Sequence, residues 1–356
     1  MMANWLLYGY GYTGQLLAEE AVRRGHRPVL AGRSEAKLAP LAQRLGLDYR
    51  VFSLDDVGSV ARSIADMELV FHAAGPYVYT GEPMMQACLQ AGAHYLDLTG
   101  EIPVFETSFG YDAAARQKNV ALICGVGYDV VPTSCLAQYV AEQVPQATDL
   151  EIGIHGLSGI SAGTAKSAIA GGVKGGAIRK NGELQPYPLG AGVRRIRFSD
   201  GEHTVMPIPW GDLAAAYRAT RIPNITTYMT IAPLTAALTR VIMPVAQRLM
   251  GFGPVQQVLN AAADRAFKGP TEQQRQTSRS YLWARAADAA GHSAEAWLEI
   301  PEAYQFTMLA GLQAVEHTLA DHPVGAVTPA MAFGADFVLE IDGVQRFDHL
   351  PAISKS

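Results

Sequence analysis

The chain has 356 residues, enough for about two domains of ordinary size. Hydrophobic residues make up 49% and charged residues 17%, a balance typical of a folded globular protein and not of a disordered one. With 28 Lys and Arg against 33 Asp and Glu, the net charge of −5 argues against a nucleic-acid-binding protein. The three cysteines, Cys88, Cys124 and Cys135, form no C-x-x-C pair, and the N-terminus has no secretory-signal pattern. We therefore expect a cytoplasmic protein without disulfide bonds.

Strand and helix patterns alternate through residues 1–144. The predicted strands are Asn4–Tyr8, Pro28–Ala31, Tyr49–Ser53, Glu68–Ala73, His94–Leu98 and Val120–Cys124. The predicted helices are Gln15–Arg24, Ser34–Leu45, Val57–Ala65, Pro83–Ala91 and Pro103–Gln117. Strands separated by helices predict right-handed crossovers and a parallel sheet that is covered on both faces. The expected fold class is α/β, with a doubly wound Rossmann domain over residues 1–144.

After residue 144 the pattern changes to paired strands. The predicted strands are Asp149–His155, Val193–Phe198, His203–Ile208, Asn224–Thr230, Thr277–Ala287 and Ser293–Ile300. The predicted helices are Ala162–Ile178, Pro233–Leu249, Val255–Phe267 and Ala303–Asp321. This predicts a second, α+β domain with an antiparallel sheet over residues 145–328, for substrate binding and dimerisation. Residues 329–356 are expected to return to one of the sheets, with Ala335–Ile341 as a last strand.

The segment Ile222–Met250 is apolar, and its first 18 residues carry no charge. It also contains Pro223, Pro233 and several threonines, whereas a bilayer-spanning helix needs about 20 predominantly apolar residues. We therefore expect no transmembrane span. Three alternatives stay open for this segment: contact with a hydrophobic substrate, the interface of a homodimer, or peripheral contact with a membrane.

The strongest motif is the run Gly9-Tyr10-Gly11-Tyr12-Thr13-Gly14, which fits G-x-G-x-x-G. It follows the first predicted strand and opens the first helix, which is the context that dinucleotide binding requires. The first glycine permits a tight turn, the second lets a pyrophosphate approach the backbone, and the third allows close helix–strand packing. The helix amides that follow favour negative charge.

The end of the second strand selects between the two nicotinamide dinucleotides. A site for NAD would place Asp or Glu about 20 residues after the glycines, but this chain has Arg33 and Ser34 there. A guanidinium attracts a 2′-phosphate, and Lys37 lies one helical turn further on. We therefore predict NADP(H), the alternative being that Arg33 is a solvated surface charge. Asp55 is predicted either to meet the adenine or, with Asp56, to cap the next helix.

Small residues follow the fourth predicted strand, in the run His72-Ala73-Ala74-Gly75-Pro76-Tyr77. This run lies at the carboxyl edge of the sheet, where open α/β proteins bind ligands. The backbone of Ala74, Gly75 and Pro76 is predicted to pack against the nicotinamide ribose.

Taken together, these motifs resemble the saccharopine dehydrogenase-like NAD(P)-binding oxidoreductases, a group that includes trans-acting enoyl reductases. The resemblance is carried by Gly9–Gly14 with Arg33, Ala73–Tyr77, Ala91–Glu101, Gly127–Thr133, Gly163–Ser167 and Ile208–Asp212. It covers most of residues 1–215. It implies a Rossmann domain, an antiparallel second domain, and a hydride-transfer site between them.

Candidates for proton transfer come from the loops near the nicotinamide, because no tyrosine in the chain has a lysine four positions later. Asp129 lies in a loop after a strand, where burial could tune it as an acid or base, or where it could simply hold the loop by hydrogen bonds. Tyr77 could donate a phenolic proton or stack beside the nicotinamide, and Tyr128 has the same two interpretations. Glu101 could contact the ligand or cap the next helix.

Four residues are predicted to contact substrate, Tyr128 being one. Thr164 and Ser167, at the start of a predicted helix, could bind a carbonyl, carboxylate or thioester oxygen, although Thr164 could equally cap that helix. Trp210 could form the wall of an apolar pocket or belong to the core. The G-x-S-x-G match at Gly159–Gly163 lacks an HGGG-type oxyanion loop, which argues against a serine hydrolase. No metal-binding pattern is present among the histidines and cysteines, so no metal is predicted.

These observations lead to two functional hypotheses. The first is an NADPH-dependent oxidoreductase that reduces an activated C=C or C=N bond of a small hydrophobic substrate. The second is a non-catalytic NADP(H)-binding sensor or scaffold, which would need the cofactor loop but no proton donor.

Overall fold

The computed structural model describes residues 4–172, 175–232, 235 and 252–350. The strands are β1 (Trp5–Tyr8), β2 (Val29–Gly32), β3 (Tyr49–Val51), β4 (Leu69–His72), β5 (His94–Asp97), β6 (Ala121–Ile123), β7 (Asp149–His155), β8 (Gly176–Lys180), β9 (Glu183–Tyr187), β10 (Arg194–Phe198), β11 (Gly201–Pro207), β12 (Asn224–Thr230), β13 (Arg279–Ala287), β14 (Ser293–Pro301), β15 (Gly325–Val327) and β16 (Gln345–Phe347). The helices are α1 (Tyr12–Arg23), α2 (Glu35–Leu45), α3 (Val57–Ser63), α4 (Tyr77–Ala91), α5 (Ile102–Gly110), α6 (Asp112–Lys118), α7 (Val131–Gln143), α8 (Ala162–Gly172), α9 (Asp212–Thr220), α10 (Gly253–Ala266), α11 (Glu272–Thr277), α12 (Ala303–Asp321) and α13 (Pro329–Phe333), with a 3₁₀ helix at Phe337–Glu340.

The first sheet of the described chain is parallel throughout, with the strand order β15-β6-β5-β4-β1-β2-β3. Its central strands are buried on both faces, which explains their continuous apolar runs. The order from β6 to β3 is that of a Rossmann domain, so the predicted fold is confirmed. Strands β2 and β3 are added on one side of β1, and β4 to β6 are added on the other side. Ligands bind at the carboxyl ends of the strands next to the point where the strand order changes side.

The seventh strand of this sheet comes from the far end of the chain. β15 pairs with β6, and α12, which precedes it, packs on the first sheet with Gly311 against Phe71 and Leu17. The first sheet therefore includes a strand at residues 325–327, a stretch that the sequence prediction places in the second domain, residues 145–328.

The second sheet has the strand order β10-β11-β12-β7-β13-β14-β16. Strand β8 also pairs with β12, and β9 is attached to the sheet through β8. Its pairs are antiparallel except for β12 with β7, so the sheet is mixed and not purely antiparallel as predicted. Helix α7 leads from the first sheet and packs on β13 and β14. The predicted bounds of β7 and β12 are those observed.

Three local predictions differ from the structure. The helix predicted over Ala162–Ile178 ends at Gly172, and a hairpin follows in which Asn181 and Gly182 form the turn between β8 and β9. The helix predicted over Pro103–Gln117 is divided into α5 and α6 at Tyr111. The strand predicted at Ala335–Ile341 is the 3₁₀ helix, and the last strand is β16, in the second sheet.

Part of the apolar segment at residues 222–250 lies outside the described residues, namely 233–234 and 236–250, and with it the predicted helix Pro233–Leu249. In the part of the chain that the structure describes, no helix has both the length and the apolar character needed to cross a bilayer.

Glu302 provides a test of how α12 is held in place. Its side chain is fully buried, and its carboxylate accepts hydrogen bonds from the backbone of Tyr304 at 2.9 Å and Gln305 at 3.1 Å and from the Ser158 hydroxyl at 2.8 Å. We expect Glu302→Ala to lower the free energy of unfolding by about 1–3 kcal/mol, because the helix loses its cap and buried donors lose their acceptor. Urea denaturation followed by circular dichroism measures this change. Glu183→Ala, on an exposed strand, is the control, and equal effects of the two substitutions would contradict the assignment.

Candidate cofactor and active site

The turn between β1 and α1 is built from three glycines whose roles differ. Gly9 has φ +126°, and a Cβ there would lie 2.6 Å from the carbonyl oxygen of Ala73. A Cβ on Gly14 would collide with the carbonyl of Gly9. Gly11 is different, because a Cβ there would meet no protein atom within 4 Å. Contacts within the protein therefore explain why no side chain fits at Gly9 and Gly14, but they do not explain the glycine at position 11. A ligand close to the backbone of Gly11 would explain it.

The N-terminus of α1 is open to an anion. Gly11 is its N-cap residue, no side chain caps the helix, and its first turn contains no acidic residue. The first amides of such a helix have no partner within the helix and carry the positive end of its dipole. Together with Thr13, whose hydroxyl has no hydrogen bond among the described residues, this end of α1 has the donors that a pyrophosphate requires.

Arg33 and Ser34 extend these donors to the end of β2. Arg33 is exposed and forms no ion pair in the described part of the chain, and Ser34 is the N-cap residue of α2 but makes no side-chain capping bond. Both groups are therefore available to a 2′-phosphate. The ring of Tyr10 covers Gly32, where a Cβ would lie 2.5 Å from the ring.

Asp55 and Asp56 take different positions. Asp56 caps α3 by accepting a hydrogen bond from the backbone of Ser59 at 2.5 Å, so it is the capping residue of the pair. Asp55 is exposed at the end of β3, and contact with an adenine stays a prediction for it.

Tyr12 connects the glycine loop with the second domain. Its hydroxyl donates to the carbonyl of Pro270 at 2.6 Å and accepts from Arg275, also at 2.6 Å. Its ring packs edge-on against Tyr304, with centroids 5.1 Å apart, and its other contact is the backbone of Gly269. The side chain of Tyr12 is therefore committed to contacts between domains, and what it offers a cofactor is its place at the start of α1.

Glu101 fixes the loop that is predicted to lie against the nicotinamide ribose. Its carboxylate accepts from the backbone amides of Tyr77 at 3.2 Å and Val78 at 2.7 Å, and from the Ser167 hydroxyl at 2.7 Å. It therefore caps α4, which precedes it in the chain, and not α5, which follows it. The Ala74–Pro76 loop runs directly into this cap, so Glu101 positions that loop and ties it to α8 of the second domain.

Two carboxyl groups where the domains meet, Asp129 and Asp212, have raised pKa values. Asp129 packs against Gly100, where a Cβ would lie 2.8 Å from Asp129 Oδ2. Burial, with a smaller contribution from the charge of Glu101, raises the pKa of Asp129 to about 7. Asp212, the first residue of α9, is completely buried, and neither of its oxygens has a hydrogen-bond partner among the described residues. Burial, with a contribution from Asp129, raises the pKa of Asp212 to about 8.

A third buried carboxyl, Asp97, shapes the loops around this pair. It accepts from the backbone amides of Thr99 at 3.0 Å and Gly125 at 2.8 Å and from the Tyr95 hydroxyl at 2.8 Å. Burial raises the pKa of Asp97 to about 6 despite these bonds. Because its hydrogen-bond donors belong to β5 and to the loops that follow β5 and β6, Asp97 holds the ends of these two strands together.

Tyr77 lies beneath the loop. Its ring is 9% exposed and packs edge-on against His72, with centroids 5.4 Å apart. Burial, reinforced by the charges of Asp97 and Glu101, raises the pKa of the phenol well above its ordinary value, which makes it a weak acid. A catalytic role for Tyr77 stays a prediction.

Tyr128 and Trp210, two of the substrate candidates, pack into or against the hydrophobic core. Tyr128 is 6% exposed within the core that includes α12, and its backbone amide donates to Thr307 at 3.1 Å. Trp210 is partly exposed and packs against the hydrophobic clusters on both faces of the first sheet, and its indole nitrogen has no partner among the described residues.

Thr164 and Ser167 already have protein partners. The Thr164 hydroxyl lies 2.9 Å from the Tyr304 hydroxyl and 3.2 Å from that of Ser161, and Ser167 donates to Glu101. A substrate oxygen would therefore have to share or displace these bonds, and substrate contact stays a prediction for both residues.

The sequence interpretation missed Asp212 as an ionisable group of the site. The sequence identifies Asp212 only as the last residue of the resembling passage Ile208–Asp212 and predicts no helix at that position. Its burial depends on Gly211, which lies against Val130 and against the carbonyl of Gly100 and thereby brings α9 onto the first domain. No local pattern gives that contact.

The comparisons with known proteins agree with this geometry. The family described as saccharopine dehydrogenase NADP binding domain matches residues 5–123, which confirms an NADP(H) site in the first domain. A saccharopine dehydrogenase-like oxidoreductase from Mus musculus is 30% identical over 209 residues, 50% of this chain and 48% of that protein. A trans-acting enoyl reductase from Mycobacterium tuberculosis is 32% identical over 137 residues, 36% of this chain and 33% of that protein. The chain thus spans about half the length of the mouse relative and about a third of the length of the mycobacterial one.

One solved structure has the same fold over nearly the whole chain. It is apo saccharopine dehydrogenase (L-Glu forming) from Saccharomyces cerevisiae, with a TM-score of 0.65 and 9% identity, covering 97% of this chain and 100% of that one. At this identity the likeness shows the fold alone. Residues 5–123 are therefore a saccharopine dehydrogenase NADP-binding domain, in a chain that resembles the saccharopine dehydrogenase-like oxidoreductases.

Proposed function

We propose that this chain is an NADPH-dependent oxidoreductase that transfers a hydride to an activated C=C or C=N bond of a small hydrophobic molecule. The observation that carries this proposal is the Asp129 carboxyl, which lies at the carboxyl edge of the parallel sheet and holds a proton near neutral pH. A reducible double bond needs a proton as well as a hydride, and a group with a pKa near the working pH is suited to donate it. The second domain would supply the substrate site and the interface of a homodimer in the cytoplasm.

The cofactor is held by groups of the first domain. The amides at the start of α1, with Thr13, are suited to the pyrophosphate, and Arg33 with Ser34 to the 2′-phosphate. NADPH supplies the hydride when bound. The backbone of Ala74–Pro76, fixed from behind by Glu101, is suited to the nicotinamide ribose.

The two carboxyl groups, Asp129 and Asp212, would have different roles in proton transfer. Asp129 would hold the proton and give it to the substrate, because burial, with a smaller contribution from the charge of Glu101, raises its pKa to about 7. Asp212, whose pKa burial and the charge of Asp129 raise to about 8, would stay neutral to a higher pH. Trp210, two residues before Asp212, would contribute apolar surface that excludes water.

The specificity for NADPH is tested by Arg33→Ala. We expect NADPH to bind about tenfold to a hundredfold more weakly while NADH binding changes little, because a charge-assisted hydrogen bond to the 2′-phosphate is worth about 1.5–3 kcal/mol. Fluorescence titration of both reduced dinucleotides measures the change. Arg44→Ala, an exposed arginine near the other end of α2, is the matched control. Unchanged NADPH affinity, or an equal loss for both dinucleotides, would contradict the role of Arg33.

The role of Asp129 is tested by the pH dependence of NADPH oxidation with a panel of enones, enoyl thioesters and imines. With a substrate in hand, we expect the rate to fall as the pH rises through about 7, because the donor must be protonated and loses its proton there. Asp129→Asn is expected to lower kcat by about 10²–10⁴ and to remove this pH dependence, with NADPH affinity unchanged.

The control is Asp149→Asn, because Asp149 is exposed at the start of β7, and it should keep the rate of the unmodified protein. Full activity of Asp129→Asn would exclude Asp129 as the donor. Tight NADPH binding with no turnover across the panel would instead favour the non-catalytic sensor.

A further inference from the structure

A second cluster of polar side chains shares no residue with the cofactor site. His155 ends β7, Asp200 lies in the turn between β10 and β11, His203 is in β11, and Thr230 ends β12. Strand β12 pairs with both β7 and β11, so the sheet itself brings these positions together. His155 and Thr230 are far in the sequence from Asp200 and His203, which is why no short metal-binding pattern reveals the whole cluster.

The three potential ligands converge on one point. His155 Nε2 and His203 Nε2 each lie 3.1 Å from the same carboxylate oxygen, Asp200 Oδ2, and the ligand atoms all lie within 4.8 Å of one another. The two imidazole rings are stacked, with centroids 3.8 Å apart and planes at 26°. Both rings therefore present the same edge to the carboxylate.

The hydrogen bonds on the far side of His155 determine which of its nitrogens can bind a cation. Thr230 Oγ1 lies 2.9 Å from His155 Nδ1 and 3.4 Å from the carbonyl oxygen of Ile154. The hydroxyl can donate to the Ile154 carbonyl while it accepts from Nδ1–H, and in that tautomer of His155 the Nε2 lone pair faces the carboxylate.

An ion bound between the three side chains would be coordinated by both ring nitrogens and by the carboxylate oxygen. We propose that His155, Asp200 and His203 bind a divalent transition-metal ion, of which Zn²⁺ is the representative. A tetrahedral ion about 2.0–2.1 Å from each ligand separates neighbouring ligand atoms by about 3.3 Å. The two nitrogen–oxygen distances here are 3.1 Å, and the two ring nitrogens lie within 4.8 Å of each other. Two imidazoles and one carboxylate are a donor set that such ions prefer to Ca²⁺ or Mg²⁺.

The surroundings of the three ligands fit this assignment. Thr230 orients His155 through its second ring nitrogen, as outer partners of metal-binding histidines do. The ligands are partly exposed, with 22%, 24% and 31% of the His155, Asp200 and His203 side chains accessible. They open into a cleft of about 490 Å³. Three protein ligands beside an open cleft leave a position for water or an exogenous ligand, and the bound ion would join the ends of β7 and β12 to the β10–β11 hairpin.

The test uses the full chain after treatment with a chelator and desalting. Isothermal titration with ZnCl₂ is expected to give one ion per chain, and Co²⁺ is expected to give the visible absorption bands of a tetrahedral or five-coordinate site. His155→Ala and His203→Ala should each weaken binding by more than about tenfold. Thr230→Val, which keeps the shape but removes the hydroxyl that orients His155, should weaken it by about tenfold.

The matched control is His292→Ala, which removes an exposed histidine paired with Asp288 at 2.7 Å in the hairpin turn between β13 and β14. It should bind Zn²⁺ as the unmodified protein does. Circular dichroism without metal verifies that each variant is folded, and added Zn²⁺ should raise the melting temperature of the unmodified chain but not of the two cluster-histidine variants. Absence of saturable Zn²⁺ or Co²⁺ binding, or binding that survives in both histidine variants, overturns the proposal.

Discussion

The turn after β1 leaves no space for side chains at Gly9 and Gly14, and the rest of the site depends on that close approach of backbones. Because Gly9 lies against the carbonyl of Ala73, the glycine loop and the loop after β4 form one continuous surface at the carboxyl edge of the sheet. The open position at Gly11 and the uncapped start of α1 belong to the same surface. A dinucleotide can contact both loops only because their backbones touch.

The second domain is tied to this surface by polar contacts rather than by apolar packing alone. Glu101 holds the start of α4 and accepts a hydrogen bond from Ser167, while Tyr12 is held by Pro270 and Arg275. Any change in the position of the second domain is therefore transmitted to the loops that would hold the two ends of the cofactor. The same arrangement buries Asp212 and partly encloses Asp129, and burial is the largest cause of the raised pKa of each.

Local patterns in the sequence were sufficient for the Rossmann order and for the bounds of β7 and β12, because periodicity and turn residues decide such elements. The β8–β9 hairpin was missed although Asn181-Gly182 is a strong hairpin signal, since the preceding apolar residues also fit a longer helix. The start of α4 was placed at Pro83 instead of Tyr77, because its cap is supplied by Glu101 from another loop. The environment of Asp212 and the pairing of β15 with β6 depend on contacts between distant residues, which no single-sequence pattern contains.

The pairing of β15 with β6 also constrains how the protein assembles. Strand β6 is complete at Ile123, but its outer neighbour is synthesised about 200 residues later. Until then the growing chain has an unsatisfied sheet edge, and the side of the sheet that α12 will cover, including Phe71, remains without that helix. Such distant pairings slow folding and prolong the period in which a nascent chain can aggregate. The dinucleotide-binding half, although synthesised before the second sheet, therefore completes its own sheet only after most of the second sheet has been made.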